Sequence, residues 1–231
     1  MSTPWFTSLI YAAWAPGVRC AKYARAQLPQ GVAMDEERPD SGVWLAALAS
    51  RYSVGPKHLA EPGPTPEELA QAASVSLRAP DHGGLRPFRF VHIAASQRAA
   101  LGELFATGAR ERGLDGADVE RARERAFNGP ALLALIGCWQ PGHPEVPLRE
   151  QLLCAGAGLM NLLNALHLMG YGAKTLSGAS VDDPAVSRAF CGESEQLLCW
   201  VVCGRPQRAA HPRYPAAPAA PLSDWSGPVL G

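Results

Sequence analysis

The chain has 231 residues, 47% apolar and 18% charged, with 21 lysines and arginines against 21 aspartates and glutamates. That length and composition describe one globular domain with a sizeable core, not a disordered chain. Zero net charge removes the electrostatic ground for a nucleic-acid or anionic-membrane partner, so an anionic ligand has to be held by a local cluster of cations.

The N-terminal apolar patch WFTSLIYAAWAPGV has no basic region before it, which argues against a signal peptide. No apolar stretch approaches the roughly 18 residues of a membrane span. Residues 1–33 read either as a poorly ordered extension or as an upstream start, because Met34 opens a natural beginning for the domain. Asp40-Ser41 precedes a short helix, WLAALASR, followed by a loop marked by proline and glycine, VGPKHLAEPGP. Thr65-Pro66-Glu67-Glu68 has the form of a capping box with proline at the first helical position, and predicts a helix to about Leu77. RAPDHGGLRP is a loop, Phe88 to Ile93 alternates as a strand, and Ser96 to Arg112 and Gly116 to Phe127 read as helices. ALLALIGC, residues 131–138, is a buried strand. Pro147 starts the longest helix, apolar nearly all round and therefore buried centrally or between subunits, with Gly170 as its stop. GAKTLS is a short strand or loop, Asp183-Pro184 opens a helix to about Phe190, and QLLCWVVCG is a second buried strand. These elements give a domain over 34–210 and a Pro/Ala-rich arm over 211–231, in an α+β layered arrangement.

Several familiar chemistries do not fit. Gly156-Ala157-Gly158 lies inside a helix with Asn161 where a third glycine is required, so close helix packing explains it better than a dinucleotide loop. Gly172-Ala173-Lys174-Thr175 lacks the glycine directly before lysine of a phosphate loop. His58, His82, His92, His143, His167 and His211 show no metal-ligand spacing, so no metal is expected. Six cysteines without a CxxC pair read as buried thiols in a reducing, cytoplasmic setting.

Three segments remain. Arg51-Tyr52-Ser53 suits a phosphate, the guanidinium forking onto two oxygens and the hydroxyl donating to a third, although an arginine at a helix end is also an ordinary surface residue. Arg78-Ala79-Pro80-Asp81-His82-Gly83-Gly84-Leu85-Arg86-Pro87-Phe88 combines cations with glycines that admit a flat ligand. Gly170 to Gly178 is a glycine-flanked strand after the long helix. Together these resemble the FMN-dependent nitroreductase family, in its small bacterial single-domain branch of NAD(P)H nitroreductases. RYS is similar to that branch's RRS opening, RAPDHGGLRPF to its RAPDHxxxxPW loop, EQLLCAGAGLMNLLNALHLMGYG to its central helix, and VVCGRPQ to its closing strand and turn. The resemblance covers about residues 40–210.

The resemblance implies a nitroreductase-like fold, a central mixed sheet flanked by helices and completed by homodimerisation, with FMN at the interface. Arg51 and Ser53 then bind the FMN phosphate and ribityl chain, with Tyr52 between them. Arg78 and His82 contact the flavin, and the backbone of Thr175, Leu176 and Ser177 lines the ring from the partner subunit. The implied activity is hydride transfer from NAD(P)H through flavin N5, by a ping-pong route, to nitro-aromatic, quinone-like or other electron-poor small molecules. It needs no side-chain nucleophile, so no catalytic residue is assigned. Alternatives are an FMN-binding protein with little turnover, a flavin enzyme reacting with oxygen, and a Cys–His transferase without flavin. Tyr52 in place of the second arginine reduces phosphate contact, Phe88 replaces tryptophan, and Thr175-Leu176 in place of Trp-Arg opens the substrate side. A lengthened first loop brings Lys57 toward the flavin.

Overall fold

The two apolar runs that lack polar alternation become the two central strands, because a strand covered on both faces has no side to leave polar. The computed structural model describes residues 41–208, 222–225 and 227; the expected extension 1–33 and most of the arm 211–231 lie outside these. Helix α1 (Ser41–Ala49) is followed by β1 (Leu59–Ala60), α2 (Pro66–Ser76), β2 (Phe88–His92), α3 (Arg98–Glu111), α4 (Gly116–Glu124), β3 (Ala131–Cys138), α5 (Leu148–Leu168), β4 (Gly172–Leu176), α6 (Pro184–Phe190) and β5 (Glu195–Pro206). The short β1 within the first loop is the one strand the sequence reading does not anticipate.

β5 is the organising strand. It pairs along one edge with β3, which in turn carries β2, and along the other with β4 and, at its end, β1. Every ladder is antiparallel; the mixed character expected of the sheet reduces to one isolated parallel bridge, Ser53 to Ala173, supported by Val54 N donating to Ala173 O at 3.1 Å. Alternation along the strands sorts the core into two layers. Leu133, Leu135, Cys199 and Val201 face α5 and α2. Leu132, Ala134, Ile136 and Val202 face α3, α4 and α6, where Trp200 stacks edge-on to Phe105 and Phe190, each at 5.3 Å between ring centres.

The local signals resolve as their chemistry dictates. Thr65 accepts from Glu68 N at 3.2 Å while Glu68 accepts from Thr65 N at 2.8 Å, a reciprocal cap. Gly170 (φ +84°) ends α5 in a Schellman arrangement, with Gly170 N donating to His167 O and Tyr171 N to Leu166 O. α5 departs from one expectation: at 21 residues it is long and apolar enough to cross a membrane, yet Ala155, Leu162 and Leu166 pack fully into the core. Burial is also one-sided, since Leu148, Leu152, Leu153, Met160 and Leu168 stay exposed.

Two charged contacts brace neighbouring elements. Asp183 is 2% exposed, caps α6 by accepting from Ala185 N and Val186 N, and takes Arg112 at 2.5 Å. It approaches α3 so closely that a Cβ at Gly108 would sit 1.6 Å from its Oδ2. Gly108→Ala therefore has to displace a buried carboxylate, and an equilibrium urea titration should show a loss of about 2–4 kcal/mol. Across the sheet edge, Glu195 takes Arg89 through both oxygens at 2.8 and 2.7 Å. This ion pair, reinforced by Gly192 N, holds the Glu195 carboxyl down to about 2 against desolvation. A depressed carboxyl contributes stability that is complete above its ordinary range near 4.5 and is lost as pH falls toward 2. In acid titrations followed by circular dichroism, Glu195→Gln should flatten the stability decline across that window, while costing about 1–3 kcal/mol at neutral pH.

Candidate functional site

α1 ends against the C-terminal turn of α5, where His167 Nε2 lies 3.0 Å from both Ala47 O and Ser50 Oγ. Beyond that contact, half-buried Arg51 and exposed Ser53 follow, with Ser53 bridged to β4 at Ala173. Tyr52 takes another direction: its hydroxyl donates to Arg208 O at 2.6 Å and its ring packs on the α3–α6 layer. Arg51 and Ser53 thus stand at the base of β4, and Tyr52 ties the end of the domain down behind them.

Farther along β4 lies an open depression of about 400 Å³, lined by Leu135, Leu152, Gly156, Leu159, Thr175, Ser177, Leu198 and Cys199. Two local features shape it. The β3–β5 register slips by one residue between Leu135 and Ile136, leaving Leu198 unpaired. This bulge turns adjacent Leu198 and Cys199 both toward α5, where a regular strand would alternate them. The second is Gly156, at which an added Cβ would meet nothing within 4 Å. Its neighbour Gly158 is the opposite case: a Cβ there would strike the Phe88 ring at 2.3 Å. Close packing therefore explains Gly158, and openness explains Gly156. Thr175 and Ser177 reach the depression, whereas Leu176 packs on the other face of the sheet and can offer only backbone. Burial pushes the Cys199 thiol up to about 11, so it is neutral and unreactive at physiological pH.

Arg78 and His82 belong to a different place. α2 runs antiparallel to α5, since Glu68 in its first turn meets Tyr171 beyond the end of α5 (Tyr171 OH to Glu68 Oε2, 2.7 Å). The loop after α2 therefore lies toward the start of α5. Asp81 organises it by accepting from Leu85 N at 3.0 Å and Arg86 N at 2.8 Å, while Gly83 and Gly84 take the positive φ angles (+72° and +65°) of the tight turn. His82 Nδ1 lies 2.9 Å from Glu150 Oε2 in the first turn of α5, and Arg78 is exposed. Next to Glu150, Gln151 is 1% exposed and pins the preceding loop through Gln140 N, Gln140 O and Val146 O at 2.9–3.0 Å.

Within one chain, then, the expected residues do not converge. Arg51 and Ser53 sit by His167, and His82 by Glu150; these helix positions are 17 residues apart, about 25 Å along the axis. Lys57 is not drawn to the β4 depression either. It lines a second hollow of about 450 Å³ with Pro56, Leu59, Glu61 and residues 127–130. Sequence reading missed Glu150 and Leu198, and it assigned Gly156 to close helix packing where the space is open. An acidic residue in the first turn of α5 is a visible signal, but a bulge and an open glycine are not. Among the described residues, no three His, Cys, Asp or Glu side chains cluster as a metal would require.

Comparison with known proteins agrees with this architecture. The Nitroreductase family profile matches residues 48–205. The Escherichia coli K12 protein named "Putative NAD(P)H nitroreductase YdjA" is 32% identical over 167 residues, spanning 72% of this chain and 90% of that one. A nitroreductase-like family protein from Bacillus cereus shares the fold with a TM-score of 0.68 at 15% identity, covering 84% of this chain and 100% of that chain. A "putative nitroreductase in complex with FMN" from Desulfovibrio desulfuricans shares it with a TM-score of 0.57 at 17% identity, covering 82% and 99%. With the profile spanning most of the domain and a curated relative aligned over nearly its whole length, the chain belongs to the nitroreductase family.

Proposed function

We propose that the chain is an FMN-dependent oxidoreductase that uses NADH or NADPH to reduce nitro-aromatic, quinone-like or other electron-poor small molecules, working as a homodimer. The observation that carries this reading is the depression beside β4. Its floor of Leu135, Leu159 and Leu198, its rim of Thr175 and Ser177, and the unfilled space over Gly156 fit a flat amphipathic ring. Arg51 and Ser53, farther down the same strand, suit the phosphate at the end of a ribityl chain.

The separation of the two half-sites supports the dimer. α5 exposes Leu148, Leu152, Leu153, Met160 and Leu168, and α1 exposes Val43, Trp44, Leu45 and Leu48; apolar area of this extent favours burial against another protein surface. In a two-fold pairing with the α5 helices antiparallel, the start of one helix lies beside the end of the other. Arg78 and His82 of one subunit then approach Arg51 and Ser53 of its partner, whose own β4 carries the depression, so two sites form from four halves. Because Ser53 bridges to β4 within one chain, it is Arg78 and His82, rather than the expected Thr175, Leu176 and Ser177, that come from the other subunit.

Bound FMN supplies a two-electron centre able to take hydride from NAD(P)H and release it to an electron-poor acceptor. The chain's own residues hold and orient it. Arg51 neutralises phosphate charge, Ser53 donates a hydrogen bond, and the Thr175 amide, which like Ala173 faces away from the β5 ladder, is with that of Ser177 a donor for polar ring edges. Arg78 of the partner adds positive charge, and His82 of the partner a ring nitrogen, where the ring accumulates negative charge. With Cys199 held neutral by burial, covalent thiol catalysis in the depression is disfavoured.

Purified protein should be yellow, bleach with NAD(P)H under anaerobic conditions and regain colour on adding a quinone or nitro-aromatic. Colourless protein that takes up no added FMN would overturn the assignment, and a yellow protein that fails to oxidise NAD(P)H would favour a binding role. Arg51→Ala should weaken FMN about 10- to 100-fold in a fluorescence titration, with a shallower dependence on ionic strength than wild type. Gly156→Leu should remain folded, because the position is open and leucine is the better helix former, while losing FMN from the filled depression; absorbance and circular dichroism on one sample separate these effects.

A further inference from the structure

We infer that Glu150 is a positioning residue for His82, holding the imidazole with its proton on Nδ1 so that Nε2 is the nitrogen presented to the ligand. The inference rests on the proposed role of His82 at the flavin and extends it to a residue outside that contact. A carboxylate only accepts hydrogen bonds, so the 2.9 Å approach of His82 Nδ1 to Glu150 Oε2 requires a hydrogen on Nδ1. The neutral ring then has Nε2 as an acceptor, and the protonated ring has it as a donor.

Both partners of this contact are anchored. Glu150 lies in the first turn of α5, where a carboxylate suits the helix dipole, and the adjoining Gln151 is locked to the preceding loop. His82 lies in a loop fixed by Asp81 and the two positive-φ glycines, and a Cβ built on Gly83 would come within 3.5 Å of Val146 of the pinned loop. The other charged or titratable groups near this contact are Arg78, Asp81 and Arg86 beside His82, Arg149 and, one turn on, the buried Cys154 thiol of α5, and His143 and Glu145 in the pinned loop. Asp81 already accepts two amides, and His143 Nδ1 accepts Val146 N at 3.0 Å and Glu145 N at 3.2 Å. Glu150 is therefore the carboxylate applied to the His82 ring. The His82 side chain is 57% exposed in one chain, leaving its far nitrogen accessible.

Nitrogen-15 NMR of histidine-labelled, flavin-free protein at mildly alkaline pH reads the tautomer directly, with His82→Ala assigning the signal. Wild type should carry the proton on Nδ1. Glu150→Ala, which removes the acceptor, should release it toward Nε2. FMN titration of the flavin-free full chain should show Glu150→Gln weakening binding about 3- to 10-fold, Glu150→Asp recovering part of the loss, and Glu150→Gln adding nothing in a His82→Ala background. The same tautomer in wild type and Glu150→Ala, or an undiminished Glu150→Gln effect without His82, would overturn the inference. If no variant binds FMN, the functional proposal fails, while the tautomer measurement still decides the Glu150–His82 coupling.

Discussion

Helix α5 sets the geometry of both the core and the candidate site. Its inner side, with Ala155, Leu162 and Leu166, is core for the sheet, and its outer side exposes Leu148, Leu152, Leu153, Met160 and Leu168. An ordinary surface helix places charge on its outer face. The helix also acts as a ruler. The segment carrying Arg51 docks at its end and the loop carrying His82 docks at its start, so its length separates two groups of ligand-type residues. In the proposed dimer, antiparallel pairing of two such rods would bring them together.

The surface beside α5 is shaped by small departures from regularity. A register slip at Leu198 puts two consecutive side chains on one face of β5 and gives the depression an apolar floor. Gly156 leaves that floor uncovered, while Gly158, two residues on, is filled by Phe88. The bridge between Ser53 and Ala173 fastens the segment of Arg51 and Ser53 to the strand that leads to Thr175 and Ser177, joining segments more than a hundred residues apart.

Charges divide by the same logic. Arg89, Arg98 and Arg112 serve the scaffold: the first and last hold Glu195 and Asp183, and Arg98, 5% exposed, donates to the carbonyls of Ile93 and Ala126. Arg51 and Arg78 sit outside the core, where a charged ligand can reach them without a buried partner being displaced.

The sequence by itself determined the elements whose causes are local. The Thr65 cap, the Gly170 stop, the continuous apolar runs of β3 and β5 and the Gly83-Gly84 turn all follow from neighbours a few residues away. The family could be read from four short motifs because their order and spacing are linear properties. Tertiary structure alone decided how those motifs are distributed in space. It sent Tyr52 to Arg208, drew Lys57 into a separate hollow, turned Leu176 to the opposite face and gave His82 its carboxylate. The reason is physical: strand register, bulges and helix docking are set by pairings between distant segments, and no periodicity within one segment encodes what it will meet.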